Sequence, residues 1–214
     1  MIGDRLSGKV LNTKLITDVE DIMLEAYELP DGWVDIGVFT TELDGIGYAA
    51  ADDATKKANI DVMQITTSYG TSGQAGNGQV FGVISGPTVS DVENGLRYVR
   101  DFTERHSELY SIADDDSAAL FAQCIPKIGR YFSQAYGLKP GSSIAYLLAP
   151  VHLGVIGVDE ALTQANCEVI CYQSMPGPSN MTGAILTGTE SACRTACTAF
   201  RGAVLDTAAD PLEF

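Results

Sequence analysis

The sequence predicts an α/β (α+β) chain of two tandem units, each a small antiparallel or mixed sheet with helices packed on one face. Three observations lead there. Segments of the first half recur in order in the second, helix and strand signals interleave with short connections, and 214 residues at 45% hydrophobic content suffice for one good core or two small ones.

The repeat has three anchors. "EAYELP" from Glu25 returns as "QAYGLK" from Gln134, "DDATKKANIDV" from Asp52 as "DEALTQANCEV" from Asp159, and "GVISGPTVSDVENGLRYV" from Gly82 as "GAILTGTESACRTACTAF" from Gly183. The offsets drift slowly along the chain, as a duplication with small loop insertions requires. A boundary falls in the polar segment between Phe102 and Asp116, giving units 1–108 and 109–214.

Each element has a local cause. Thr17 and Glu20 are spaced as a capping box for a helix over Thr17–Leu29, whose Val19, Ile22, Met23 and Ala26 share a face before Pro30 and Gly32 stop it. A strand follows from Val34, then a loop through Asp44 and Gly45 and a second apolar run at Tyr48. Asp52 or Asp53 is expected to cap a short helix whose Ala54 and Ala58 permit close packing, and "NIDVMQI" alternates as a strand. After a Gly-rich loop comes the strand "QVFGVIS", then a helix capped by Ser90 and Glu93 that buries Val92, Leu96 and Val99. The second unit is expected to repeat this order from a helix near Ser117, led by Asp114 to Asp116.

A formal charge of −15 argues against nucleic acid or an anionic membrane as partner, because phosphate repulsion must be overcome before any contact helps. A neutral or cationic small molecule suits it better. The longest apolar stretch, Ser142 to Val158, is short and interrupted by Pro150 and His152, so no membrane-spanning helix is expected. The first residues show no apolar leader, which predicts a cytoplasmic protein.

Cys193 and Cys197, four apart on a helix, and Cys167 and Cys171, four apart on one strand face, invite a four-thiolate metal site. The repeat argues otherwise: Cys193, Cys197 and Cys167 align with Val92, Leu96 and Ile60, so buried thiols acting as small hydrophobes are expected, with no metal and no cofactor. His106 and His152 lie in no nucleophile motif, and "GTSGQAGNG" lacks the Lys and the helix start of a phosphate-binding loop.

The run of acid, Ala, Asn, apolar, acid and Val, followed by a glycine-bearing loop, a strand ending in Gly and an Ala-rich helix, resembles the bacterial microcompartment shell domain. It occurs twice, in "DDATKKANIDV" with "GQVFGVISG" and in "DEALTQANCEV" with "TGAILTG". A helix that ends the usual domain here precedes the first strand of each half, as "LEAYELP" and "SQAYGLK", which resembles the circularly permuted form. With "YAAADDATKKA", "AYLLAPVHLGVIGVDEAL" and "TGTESACRTACTAFRGAVLD", the likeness extends to the tandem-domain, L-type shell proteins of ethanolamine utilisation.

That resemblance implies a homotrimer forming a ring of six domains, tiling with itself and with other shell proteins around a cytoplasmic microcompartment, with a gated central pore, smaller pores within each chain, and no chemistry. Asp44 beside Gly45 and Ile46, with Glu42, offers a carboxylate and backbone acceptors suited to a primary ammonium such as ethanolamine. By the resemblance this loop, with Leu109, Ile112 and Ala113, lines the small pore. Two loops at equivalent positions lack apolar anchors and are the expected gates: Tyr69, Gly70, Gly73, Gly76 and Gly78 in one, Met175, Pro176, Ser179 and Asn180 in the other. The family's edge lysine falls on Lys56 and is replaced by Thr163 in the second half. A soluble trimeric amine sensor that never tiles is the competing class, and an enzyme lacks a constellation to support it.

Overall fold

A computed structural model describes residues 1–68, 78–174 and 180–212. The chain forms two compact units: residues 1–7, 107–128 and 139–214 make one, and residues 8–106 with 129–138 make the other. A single cut at 108 therefore leaves three short segments, 1–7, 107–108 and 129–138, with the opposite unit.

In the unit centred on residues 8–106, strands β2 (Val10–Ile16), β3 (Ile36–Glu42), β4 (Asp61–Ser68) and β5 (Gln79–Ser85) form an antiparallel sheet ordered β2-β3-β5-β4. In the other unit, β1 (Arg5–Leu6), β6 (Leu109–Ser111), β7 (Ala119–Ile125), β8 (Ser143–Pro150), β9 (Glu168–Gln173) and β10 (Met181–Gly188) are ordered β1-β6-β7-β8-β10-β9. The run β7-β8-β10-β9 repeats β2-β3-β5-β4, so the sequence duplication is a duplication of sheet topology, and every pairing is antiparallel.

The first unit's helices are α1 (Asp21–Ala26), α2 (Ile46–Lys57) and α3 (Val89–Asp101), the last continued by a π-helical turn over Phe102–His106. Its sheet is covered on both sides. Gly37 and Gly82 lie against Leu96 and Phe39 on the α3 side, whereas Ile36 and Val83 pack with Met23 and Leu24 of α1 and with Tyr27 just after it. Alternation along β3 puts these on opposite faces, so the expected one-sided arrangement fails at α1. Helix α4 (Arg130–Tyr136) also belongs to this unit, lying on α2 and β4. In the other unit α5 (Val151–Gln164) and α6 (Glu190–Ala209) pack on each other and on the sheet. Their core joins Leu147, Leu186, Cys193, Phe200 and Val204.

Several local expectations are corrected. Helix α1 starts at Asp21 behind Glu20, which makes no side-chain cap, and Asp18 sits at φ 52 instead of inside the helix. Helix α2 starts at Ile46, so Asp52 and Asp53 are interior residues and Ala58 closes it. The cap of α3 is Thr88, which accepts from Asp91 N at 3.2 Å, two residues before the expected pair. Thr189 does the same for α6 through Ala192 N. The acids Asp114 to Asp116 lie in a turn in which Asp115 accepts from Ser117 N, and the strand β7 follows in place of a helix. A strand, β2 or β7, also precedes each of α1 and α4.

Candidate functional site

The turn from β3 into α2 brings together three of the buried polar residues of its unit, Thr41, Asp44 and Gln79. Leu43 and Gly45 take φ 71 and φ 78, which bends the chain between strand and helix. Leu43 N donates to Gly78 O at 2.7 Å, tying the turn to the start of β5. Between them Asp44 is only 4% exposed. Its carboxylate rests on bare backbone: a Cβ on Gly78 would lie 2.8 Å from Oδ1 and 3.0 Å from Oδ2.

Asp44 stands just before the first turn of α2, where the aligned peptide dipoles favour negative charge. Thr41 and Gln79 are buried close by in chain and ladder, and Gln79 pairs in register with Glu42. Glu42 is half-buried, with its carboxylate 3.6 Å from Lys9 Nζ. Ile46 is fully buried and anchors the helix start. Tyr48 exchanges a hydrogen bond with Thr67 at 3.2 Å, and burial raises its hydroxyl above the ordinary value, with the Asp44 charge adding to that rise. The arrangement presents acceptor oxygens in a nearly dry place, which suits a small group rich in N–H donors.

The remaining expected pore residues belong to the other unit. Leu109 and Ile112 are buried, Ile112 within the core, and Ser111 Oγ donates to Ala113 O at 2.6 Å. Of the expected gate residues, Gly78 and Asn180 are described, and Tyr69, Gly70, Gly73, Gly76, Met175, Pro176 and Ser179 lie outside the described residues. Lys56 is exposed and directs its ammonium to Asp53 at 3.2 Å and Asp52 at 3.8 Å on its own helix. Sequence reasoning missed Thr41, Gln79 and Tyr48, because only the register of β3 with β5 brings Gln79 to Glu42.

The thiols behave as the repeat suggests for the helix: Cys193 and Cys197 are buried like Val92 and Leu96, and burial pushes the Cys193 thiol up to about 12. Cys167 and Cys171 do not share a strand face. Cys167 precedes β9 and packs against the core, while Cys171 is exposed. Among the described residues no group of three or more His, Cys, Asp or Glu is placed to hold a metal ion, and no helix is long and apolar enough to cross a membrane.

Comparison with known proteins gives a consistent result. The BMC domain model matches residues 35–113. The bacterial microcompartment shell protein EutL of Clostridium perfringens is 36% identical over 217 residues, covering 100% of both chains. EutL of Salmonella typhimurium is 30% identical, covering 98% of this chain and 97% of its own. The crystal structure of the ethanolamine utilization protein EutL from Leptotrichia buccalis superposes with a TM-score of 0.92 at 39% identity, covering 100% of each chain. With sheet order, duplication and full-length likeness in agreement, this chain belongs to the EutL family of bacterial microcompartment shell proteins.

Proposed function

We propose that the chain is a pore-forming subunit of the shell around bacterial ethanolamine utilisation: three copies close into a ring of six like units, and rings tile with one another and with other shell proteins. Two units of one topology in a single chain support this, because they can alternate about a three-fold axis and close a finite disc. The role is structural and selective, with no reaction performed. The segments around residues 69–78 and 175–180 would serve as gates of the wider opening, on the strength of their small-residue composition and equivalent positions.

A small passage in each chain admits a primary ammonium such as ethanolamine. The observation that carries this is the buried Asp44 carboxylate on the bare backbone of Gly78. Binding there must be weak, since a site that holds its ligand tightly does not conduct. Asp44→Asn keeps the shape and removes the charge; calorimetry with ethanolamine should show affinity falling roughly ten- to hundred-fold. An unchanged affinity removes Asp44 from the site. For assembly, electron microscopy of the purified protein should show hexagonally packed sheets, and isolated particles at every concentration would exclude tiling.

A further inference from the structure

Helix α6 and strands β6 and β7 border a cavity of about 210 Å³ that lies wholly within their own unit. Its helix side is a single stripe, on which Arg194, Cys197 and Arg201 recur at three- and four-residue steps. Its sheet side is set by register. Tyr110 pairs with Leu120 and so shares a face with Ala122 and Cys124, and Glu108, whose carbonyl accepts from Ala122 N at 3.1 Å, stands on that face too. Ala122 and Cys124 are short side chains, so helix and sheet leave a gap between them.

Two charges at this gap are not paired as charges elsewhere are. On α3, Arg97 meets Glu93 and Arg100 meets Glu104, and on α6 Arg194 meets Glu190 at 2.7 Å. Arg201 is half-buried and has no ion-pair partner among the described residues; its guanidinium donates to the Tyr110 hydroxyl at 2.6 Å and stacks 4.6 Å from the centre of that ring. Glu108, also half-buried and likewise without an ion pair among the described residues, accepts from the same hydroxyl at 3.0 Å. Tyr110 is thus a spacer that takes a hydrogen bond from the cation and gives one to the anion. Burial and the bond to Glu108 hold its hydroxyl above the ordinary value, and burial raises the Cys124 and Cys197 thiols, so neither phenolate nor thiolate answers Arg201.

We infer that this cavity binds a small zwitterion, an amino acid with a short carbon chain, its carboxylate on Arg201 and its ammonium on Glu108. A half-buried charge is costly without an opposite charge beside it, and a ligand bearing both signs answers both residues at once. A lone anion would leave Glu108 unanswered and be repelled by it, and a lone cation would meet the same difficulty at Arg201. After its bond to Tyr110 the guanidinium keeps further N–H donors in a fork that matches a carboxylate. The volume lies below the range of sites for larger organic ligands, which limits the occupant to a few non-hydrogen atoms. The inference depends on neither the ring nor the Asp44 passage.

The test titrates the full chain with glycine and β-alanine, which hold the two charges at different spacings, and follows binding by saturation-transfer NMR at low ionic strength. At least one should bind, and acetate and methylammonium, with one charge each, should bind about ten-fold or more weakly. Glu108→Gln, which still accepts from Tyr110, and Arg201→Gln should each weaken the zwitterion about ten- to hundred-fold, with Arg201→Lys, a charge without the fork, falling between. Thermal melting checks that the variants fold, and Glu108→Gln decides the matter if Arg201→Gln does not. Acetate that binds as well as either zwitterion, and more tightly still to Glu108→Gln, overturns the zwitterion in favour of a plain anion site. Zwitterion binding that ignores the substitutions places the ligand elsewhere, and no binding of either amino acid at millimolar concentration overturns the site altogether.

Discussion

Asp52 shows how a residue's type can be read correctly and its role misplaced. An acid ahead of small residues suggests the cap of its own helix, but α2 has already run for a turn and a half when Asp52 is reached. Its carboxylate instead caps α4, accepting from residues 77 and 80 positions later. No local pattern carries that information, because it depends on which surface α4 meets. Removing both acceptors with Asp52→Ala should cost about 2–4 kcal/mol, as two buried N–H groups lose their partner. Burial raises this carboxyl above its ordinary 3.8, against the pull of the two N–H groups and Lys56. The folded state thus binds the proton more tightly than the unfolded chain, so the group's contribution is full below pH 3.8 and falls as pH rises through the raised folded value. Urea denaturation of the wild type and Asp52→Asn between pH 4 and 7 should show the wild type losing ground as pH rises. A wild type that gains ground instead would mean that the N–H donors outweigh desolvation.

At the scale of elements, the repeat was the legible feature, and its weak points are physical. Strands β3, β4, β5 and the buried stripe of α3 were readable because alternation and a 3.6-residue period are local consequences of having one buried side. Strand β7 was not: "ALFAQCI" is apolar without clear alternation, and most of it is buried between neighbouring strands, where both faces are covered. Helix α1 was overdrawn because Thr17 and Glu20 match a cap by spacing alone, while the chain at Asp18 turns to φ 52 and binds Asp35. The Asp44 turn was found from a carboxylate beside glycine, but Gln79 and Tyr48 needed the fold. The aligned glycines Gly82 and Gly183 test how closely the two copies share packing. A Cβ at Gly82 would lie 2.1 Å from Phe39 Cζ, the end of a ring that can rotate; at Gly183 it would lie 1.8 Å from the Leu147 backbone oxygen, which cannot. Gly82→Ala should cost about 1–3 kcal/mol in thermal denaturation and Gly183→Ala more than that. Equal costs would mean that the Phe39 ring is held as firmly as backbone.

For the whole molecule the dominant quantity is charge. Each chain carries −15, so the proposed ring of three would carry three times that, and such rings approaching edge to edge would repel before any short-range contact formed. Lys56 offers little relief as an edge cation, since its ammonium already faces Asp52 and Asp53 of its own helix. Screening should therefore decide whether sheets form. Raising ionic strength from about 0.01 to 0.15 M shortens the screening length from roughly 30 to 8 Å, which removes most repulsion between exposed charges while leaving buried contacts intact. The fraction of protein in sheets, measured by light scattering and checked by electron microscopy, should rise over that interval, and Lys56→Gln should shift the rise only slightly. Sheets that instead dissolve as salt is added would show that attraction between opposite charges holds the edges, and would make Lys56 the first residue to examine there.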